Sequence, residues 1–302
     1  MREPPPAAAI HRGMVVAILA MLFFCATDVF NKLLGQNLPV VQILWVRYLA
    51  FVPIAAALAW RPHLGVVWRS GRPGLQFLRS VMLIVQMSCF VLALTLLPLA
   101  DVQAIAASAP LLVTALSVPL LGEAVGWRRW SAVGVGFLGM LLIVRPGLEE
   151  TGWPTLLVLA GTTLWAIYQI MLRLVGRHDG AATTALWSAT VGAIVTSAIA
   201  PFQWQAPTAT GWLLLAAVAL TGSLGHTLYS RAYVLAPAAI LQPLTYLMLV
   251  FATLFGWLVF GDFPDAWTIA GACLIVLSGL YTFHRERVRG VAAGVPSEAE
   301  RP

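Results

Sequence analysis

Charge is what this chain has least of. Only 10% of its 302 residues are Asp, Glu, Lys or Arg, where a water-facing domain carries about 25%. Lysine is nearly missing, since Lys32 is the sole one among 18 basic residues. The three cysteines, Cys25, Cys89 and Cys273, stand far apart in apolar runs. With no CxxC pair and no His/Cys cluster, neither a disulfide framework nor a metal site is built. There is no GxxxxGK[ST] loop, no HExxH and no GxSxG, which removes P-loop nucleotide hydrolysis, zincin chemistry and the hydrolase nucleophile elbow. No cofactor is implied. In their place stands apolar mass: 60% hydrophobic residues and a mean hydropathy of +0.86. That composition excludes a soluble fold and defines an integral membrane protein. A net charge of +6 and a pI near 9.7 would suggest nucleic-acid binding in a soluble chain. Here the basic residues serve membrane orientation, and no nucleic-acid partner is expected.

A bilayer core of ~30 Å needs about 20 apolar residues per helix. Ten such runs are present, at 13–34, 38–60, 75–97, 100–121, 127–144, 153–175, 182–203, 211–235, 237–260 and 265–284. Their length, without ten-residue alternation, predicts helices and not an outer-membrane barrel. Breakers fall between them: Gly35-Gln36-Asn37, Pro98, Gly122, Pro146-Gly147, Pro237 and Gly261. Residues 1–12 read as a short Pro/Ala arm and 285–302 as a polar, disordered tail. Counting Lys and Arg in alternate connections gives thirteen on one side, including Arg61, Arg72, Arg128 and Arg173, and only Arg145 on the other. That asymmetry places both termini in the cytoplasm. A bacterial inner membrane is the expected location.

The halves repeat. At an offset of 139 residues, Pro98 meets Pro237, Gln103 meets Gln242, Thr114 meets Thr253, and Gly122-Glu123 meets Gly261-Asp262. After a two-residue deletion Trp130 meets Trp267 and Gly134 meets Gly271. Each repeat (13–145 and 153–284) holds five spans, an odd number, so the second enters the membrane from the opposite side. Inverted repeats of this kind build secondary transporters, with the solute site near the midplane between the halves.

At these residues the sequence resembles the drug/metabolite transporter superfamily, in its ten-helix EamA-type branch. The resemblance rests on Pro98-Leu-Ala, Pro110 and the closing Leu-Gly-Glu123, on Asp28-x-x-x-Lys32, and on Trp45-Val-Arg47-Tyr48. It covers residues 13–284 and departs from the pattern at Gly261-Asp262, which keeps the charge. It implies an all-α membrane carrier for amino acids, vitamins, nucleotide-like metabolites or metallophores. The stretches Gln42–Tyr48 and Gly126–Trp130 are most similar to relatives that carry riboflavin or S-adenosylmethionine.

Charges inside a span cost about 2.5–3.5 kcal/mol each and need a partner or a wet cavity. Asp28 lies about 9 Å and Arg47 about 14 Å from the same membrane face, at 1.5 Å per residue. The short turn between their spans predicts an Asp28–Arg47 ion pair, either locking the hairpin or switching with protons or solute. Lys32 is expected to snorkel and to pair with Asp28 at i, i+4. Arg79 and Arg231, near span ends, are also expected to snorkel, while Asp101, Glu123 and Asp262 read as loop or capping residues. His226, beside Gly222 and Gly225 near mid-span, is either a proton relay or a neutral, hydrogen-bonded core histidine. Asp28, Arg47 and His226 are the candidates for coupling or gating. Gln86, Gln103, Trp165, Tyr168, Gln169, Tyr229, Gln242 and Tyr246 are the candidates for solute contact, suited to a planar or zwitterionic molecule. Pro53, Pro110, Pro119 and Pro243 are expected to kink their helices. The expectation is a secondary transporter of a small organic metabolite, proton-coupled or exchanging freely. The alternative is a membrane-embedded enzyme acting on a lipid or isoprenoid.

Overall fold

The computed structural model describes residues 7–59, 68–122, 126–145, 152–176, 178–236 and 238–288. The first repeat contributes α1 (Ala7–Gly35), α2 (Val40–Ala59), α3 (Pro73–Leu96), α4 and α5 (Trp127–Val144). Helix α4 comes in two segments, Leu99–Ala106 and Ala109–Leu121. The second repeat contributes α6 (Trp153–Val175), α7 (Ala181–Ile199, closing in a 3₁₀ turn Ala200–Gln203), α8 (Ala209–Leu235), α9 and α10 (Ala266–Val288). Helix α9 is composite: Ala238–Leu241, a 3₁₀ turn Gln242–Tyr246, Leu247–Phe255 and a π-helical end Gly256–Phe260. All ten spans are long and apolar enough to cross a membrane, and no strand occurs among the described residues.

Two ends run past the apolar stretches. Helix α1 starts at Ala7 and not at residue 13, because Ala7, Ala8 and Ala9 are strong helix formers. Helix α10 continues to Val288, into the segment expected to be disordered, through the helix-favouring Arg285-Glu286-Arg287. Glu123, Trp60 and the residues beyond 288 lie outside the described residues.

The repeat is visible in how chain ends are turned. Gly122 closes α4 at φ +69° and Gly261 closes α9 at φ +73°, both left-handed, where a side chain would clash. It is also visible in the packing, where exchanging helix n with n+5 maps interface onto interface. The α1–α8 interface matches α3–α6, α1–α9 matches α4–α6, and α2–α8 matches α3–α7, while α2–α7, α4–α9 and α5–α10 map onto themselves. On the axis, α5 and α10 cross at Gly139 and Gly271. A Cβ on Gly139 would stand 2.7 Å from the Gly271 carbonyl oxygen, so only glycine permits this approach.

Four interfaces, α1–α3, α1–α2, α2–α3 and α4–α10, have no comparable image among the described residues, and α1–α3 is the largest of them. Helix α1 packs on α3 towards the arginine-poor rim, but α6 and α8 have no comparable contact towards the arginine-rich rim. At the first rim α1 and α3 are therefore closed on each other, while at the second α6 and α8 are parted and the α6–α7 turn stays joined to the start of α3.

Of the four prolines expected to kink helices, two coincide with breaks. Residues 107–108 interrupt α4 just before Pro110, and Pro243 sits in the 3₁₀ turn of α9. The breaks correspond across the repeat, since 107 plus the offset of 139 is 246. Pro53 and Pro119 lie within continuous helix.

Candidate transport site

Beside the broken helices, at mid-membrane depth, Asp28 of α1 and His226 of α8 each come within electrostatic reach of Arg47 of α2. All three are partly or fully accessible, and the space among them is the candidate chamber. Asp28 on α1 accepts a 2.7 Å hydrogen bond from Gln103 Nε2, on the turn of α4 just before its break. Arg47 on α2 lies against α8, where a Cβ on Gly222 would be 3.7 Å from both its Nε and Nη2. The expected Asp28–Arg47 ion pair does not form. The two charges interact at a distance, with Asp28 turned towards Gln103 and Arg47 towards the glycine face of α8. Both side chains are partly accessible. His226 is exposed to the same space, with Phe24 edge-on at 4.9 Å and Phe51 at 6.3 Å. It makes no hydrogen bond among the described residues, so the hydrogen-bonded core reading fails. Tyr229 completes the wall, edge-on to Phe24 at 5.9 Å. Thr27 donates to Thr221 at 2.8 Å, fastening α1 to α8 behind the chamber.

A second polar group sits one layer away and belongs to the scaffold. Arg79, expected to snorkel, is 0% exposed. Its guanidinium donates to Gln76 Oε1 (2.9 and 3.2 Å), Tyr168 Oη (2.9 Å), the Thr184 carbonyl (3.0 Å) and Ser188 Oγ (2.8 Å). Trp165 stacks on Tyr168 at 5.1 Å and 16°. Tyr168 and Trp165 thus hold an arginine in place and do not form an open platform. Tyr48 lies within electrostatic reach of Arg47, Tyr168 and Arg79 and joins the two groups. Gln86 is buried on α3, facing Gly161 of α6 through its backbone, and Gln169 is half-buried on α6. Tyr246 packs its hydroxyl against Gly279 of α10, away from the chamber. The side chain of Gln242 lies outside the described residues. Arg231 is exposed, as a snorkelling residue would be.

The arginine-poor rim is latched. Lys32 neither snorkels nor pairs with Asp28. It is 8% exposed and reaches Asp262 Oδ2 and the Leu97 carbonyl, each at 3.0 Å, over the Phe260 ring at 4.6 Å. One ammonium thereby joins α1, the α3–α4 connection and the end of α9. Alongside, Arg145 pairs with Asp265, whose carboxyl also accepts from the Thr268 N–H at 2.7 Å. Burial pushes the Asp265 carboxyl up, but these partners outweigh it and hold it below the ordinary carboxylate value. Asp101, expected in a loop, occupies the first turn of α4, close to Thr268.

Of the coupling candidates and the solute-contact candidates, the structure brings Asp28, Arg47, His226, Gln103 and Tyr229 into one neighbourhood, and Arg79 and the latch carry no sequence expectation of this kind. The Gly122-Glu123 to Gly261-Asp262 match was the available signal for Asp262, since it marks an acid at equivalent rims of both repeats. Elsewhere an apolar cleft of about 640 Å³ opens between α9 and α10, lined by residues such as Leu249, Trp257, Ile269 and Val276. It holds no charge and faces the membrane, so it is not the solute chamber.

Ten spans in two repeats, broken helices at the repeat interface, and a charged chamber closed at one rim define a membrane carrier. The chain belongs to the EamA-like transporter family, whose model matches residues 11–145 and again 152–283. It is 26% identical over 271 residues (89% of this chain and 92% of the relative) to the S-adenosylmethionine uptake transporter of Rickettsia conorii. It is 29% identical over 246 residues (80% and 82%) to the riboflavin transporter of Vibrio cholerae. It is 28% identical over 280 residues (89% and 95%) to the pseudopaline exporter CntI of Pseudomonas aeruginosa. A crystal structure at 18% identity shares the fold with a TM-score of 0.60, over 93% of this chain and 99% of that one. The family and these names point to a small-molecule transporter and give the enzyme alternative no support.

Proposed function

We propose that this protein carries a small organic metabolite across a bacterial inner membrane by alternating access, with its arginine-rich rim and both termini in the cytoplasm. The moving halves are the repeats 13–145 and 153–284. The observation that carries the reading is the largest broken symmetry in the packing: α1 closes on α3 at one rim, while α6 and α8 are parted at the other. An inverted repeat can exchange those two arrangements, which would open the chamber to the opposite side without moving the site. The thirteen-to-one arginine asymmetry supports the orientation, making this the inward-facing arrangement. His226 and Asp28, both reaching the chamber, suit coupling to protons. Relatives named for S-adenosylmethionine, riboflavin and pseudopaline favour a polar organic solute.

Counterflow in proteoliposomes tests this. Vesicles loaded with the common amino acids, S-adenosylmethionine and riboflavin are diluted into trace labelled solute. Accumulation of one solute without ATP is expected, slowed in Asp28→Asn and Arg47→Ala. Folded protein that accumulates none of the pool counts against the reading.

A further inference from the structure

We infer that the chamber reads the α-amino-acid headgroup of its solute, Arg47 taking the carboxylate and the Asp28–Gln103 pair taking the ammonium. This deepens the transporter reading and rests on it.

Arg47 carries the argument. Its guanidinium, one of the most demanding hydrogen-bonding groups in a protein, has five N–H donors. None of them meets a hydrogen-bond acceptor or an ion-pair partner among the described residues, although the residue lies at mid-membrane depth. The donors reach open space, since they are not among the buried atoms left without a partner. An intramembrane arginine held in this way is unfavourable until an anion arrives. A carboxylate fits, because it accepts two parallel N–H bonds from the guanidinium fork. Glycine at 222 keeps that face of α8 clear, and a side chain there would press on Nε and Nη2.

Asp28 supplies the opposite charge. Gln103 occupies its Oδ2 and fixes the carboxylate's orientation, while Oδ1 takes no hydrogen bond from a described residue. A free carboxylate oxygen is an acceptor for an ammonium.

Together the two groups select among solute charges. A simple anion would satisfy Arg47 and leave Asp28 repelled. A simple cation would do the reverse, and an uncharged solute would desolvate both without return. A molecule with adjacent positive and negative groups satisfies both and adds no net charge. Asp28 and Arg47 make no ion pair with each other yet interact electrostatically, so each is left for a separate charged group of one solute. Phe24, Phe51 and Tyr229 then face the remainder of the solute and suit an apolar or aromatic side chain.

The counterflow pool provides the test. The solute that accumulates is expected to carry an α-amino and an α-carboxylate group, and its decarboxylated and deaminated analogues are expected to compete at least tenfold less well. In Arg47→Gln the preference over the decarboxylated analogue should fall to near one, with preference over the deaminated analogue retained. Asp28→Asn should do the opposite. A purely structural role would lower transport of parent and analogues alike, and that result overturns the assignment. Accumulation of riboflavin alone, or a wild-type protein that ignores loss of either headgroup, overturns the inference and leaves the transporter standing. No accumulation of any solute by folded protein overturns the transporter reading and the inference with it. The wild-type analogue comparison needs no variant, so a misfolded mutant does not rescue the idea.

Discussion

Arg47 and Arg79 are the same residue in the same membrane, and the protein treats them in opposite ways. Arg79 is sealed at 0% exposure, with its guanidinium shared among Gln76, Tyr168, Thr184 and Ser188. Arg47 is partly exposed and has no hydrogen-bond partner among the described residues. A buried charge whose bonds are all made is structural. A charge whose bonds are withheld at the junction of two repeats is kept for something that comes and goes. The sharpest way to break this contrast is to remove each arginine and measure stability and transport separately. Arg79→Leu strands several buried polar groups and is expected to cost roughly 3 kcal/mol, read as a lowered melting temperature in detergent. Arg47→Gln is expected to stay within about 0.5 kcal/mol of the parent while transport falls at least tenfold. Equal melting shifts in the two variants would erase the distinction.

Lys32 falls between these cases. It is fully partnered, like Arg79, but its partners lie on elements that must separate for the arginine-poor rim to open. Asp262→Asn keeps the shape and removes the charge, which should weaken the latch by about 1.5 kcal/mol and shift the rim equilibrium roughly tenfold towards open. A cysteine placed at Tyr229 in the chamber wall, in a Cys89→Ser, Cys273→Ser background, reports this through labelling by an impermeant maleimide added at that rim. The labelling rate should rise accordingly and fall again when Lys32→Asp is combined with Asp262→Lys. An unchanged rate would make the latch a fixed strut like the Arg79 network.

The spans were legible because a continuous apolar run of this length has one solution in a bilayer, the helix. The repeat was legible through the Pro, Gln and Gly-acid matches, which apolar chance does not supply. What could not be read was pairing between helices far apart in sequence. Depth alone matched Asp28 to Arg47, but depth does not fix which way a helix faces, and rotation of α1 delivered Asp28 to Gln103 instead. The same ignorance of rotation made Arg79 and Lys32 look like snorkelling residues near span ends. Both turn inward, to Tyr168 and to Asp262, partners 89 and 230 residues away. Trp165 and Tyr168 stand among the solute-contact candidates in the sequence, yet their use by Arg79 depends on α3 packing against α6.

The smallest expected effect probes how far the sealed network extends. Asp179, in the turn between α6 and α7, accepts from Ser70 Oγ, from the Gly71 N–H at 2.8 Å and from Gln76 Nε2 at 2.8 Å. Gln76 in turn receives Arg79 through its other amide atom, so a chain of hydrogen bonds runs from a rim carboxylate to the buried guanidinium. Burial raises the Asp179 carboxyl, but these donors and the nearby His178 outweigh it and hold it below its usual value of 3.8. A depressed folded value means the carboxylate stabilises the fold above the unfolded value of about 3.9 and loses that contribution as pH falls through the folded one. Melting temperature should therefore be insensitive to this group from neutral pH down to about 5 and decline below about 4. Asp179→Asn, which keeps one acceptor oxygen, should cost about 1 kcal/mol at neutral pH and remove this group's share of the acid decline. Combined with Arg79→Leu its effect should shrink, because Gln76 links the two sites and neighbours in one network do not add. Full additivity would place Asp179 outside the Arg79 network and confine that network to the membrane interior.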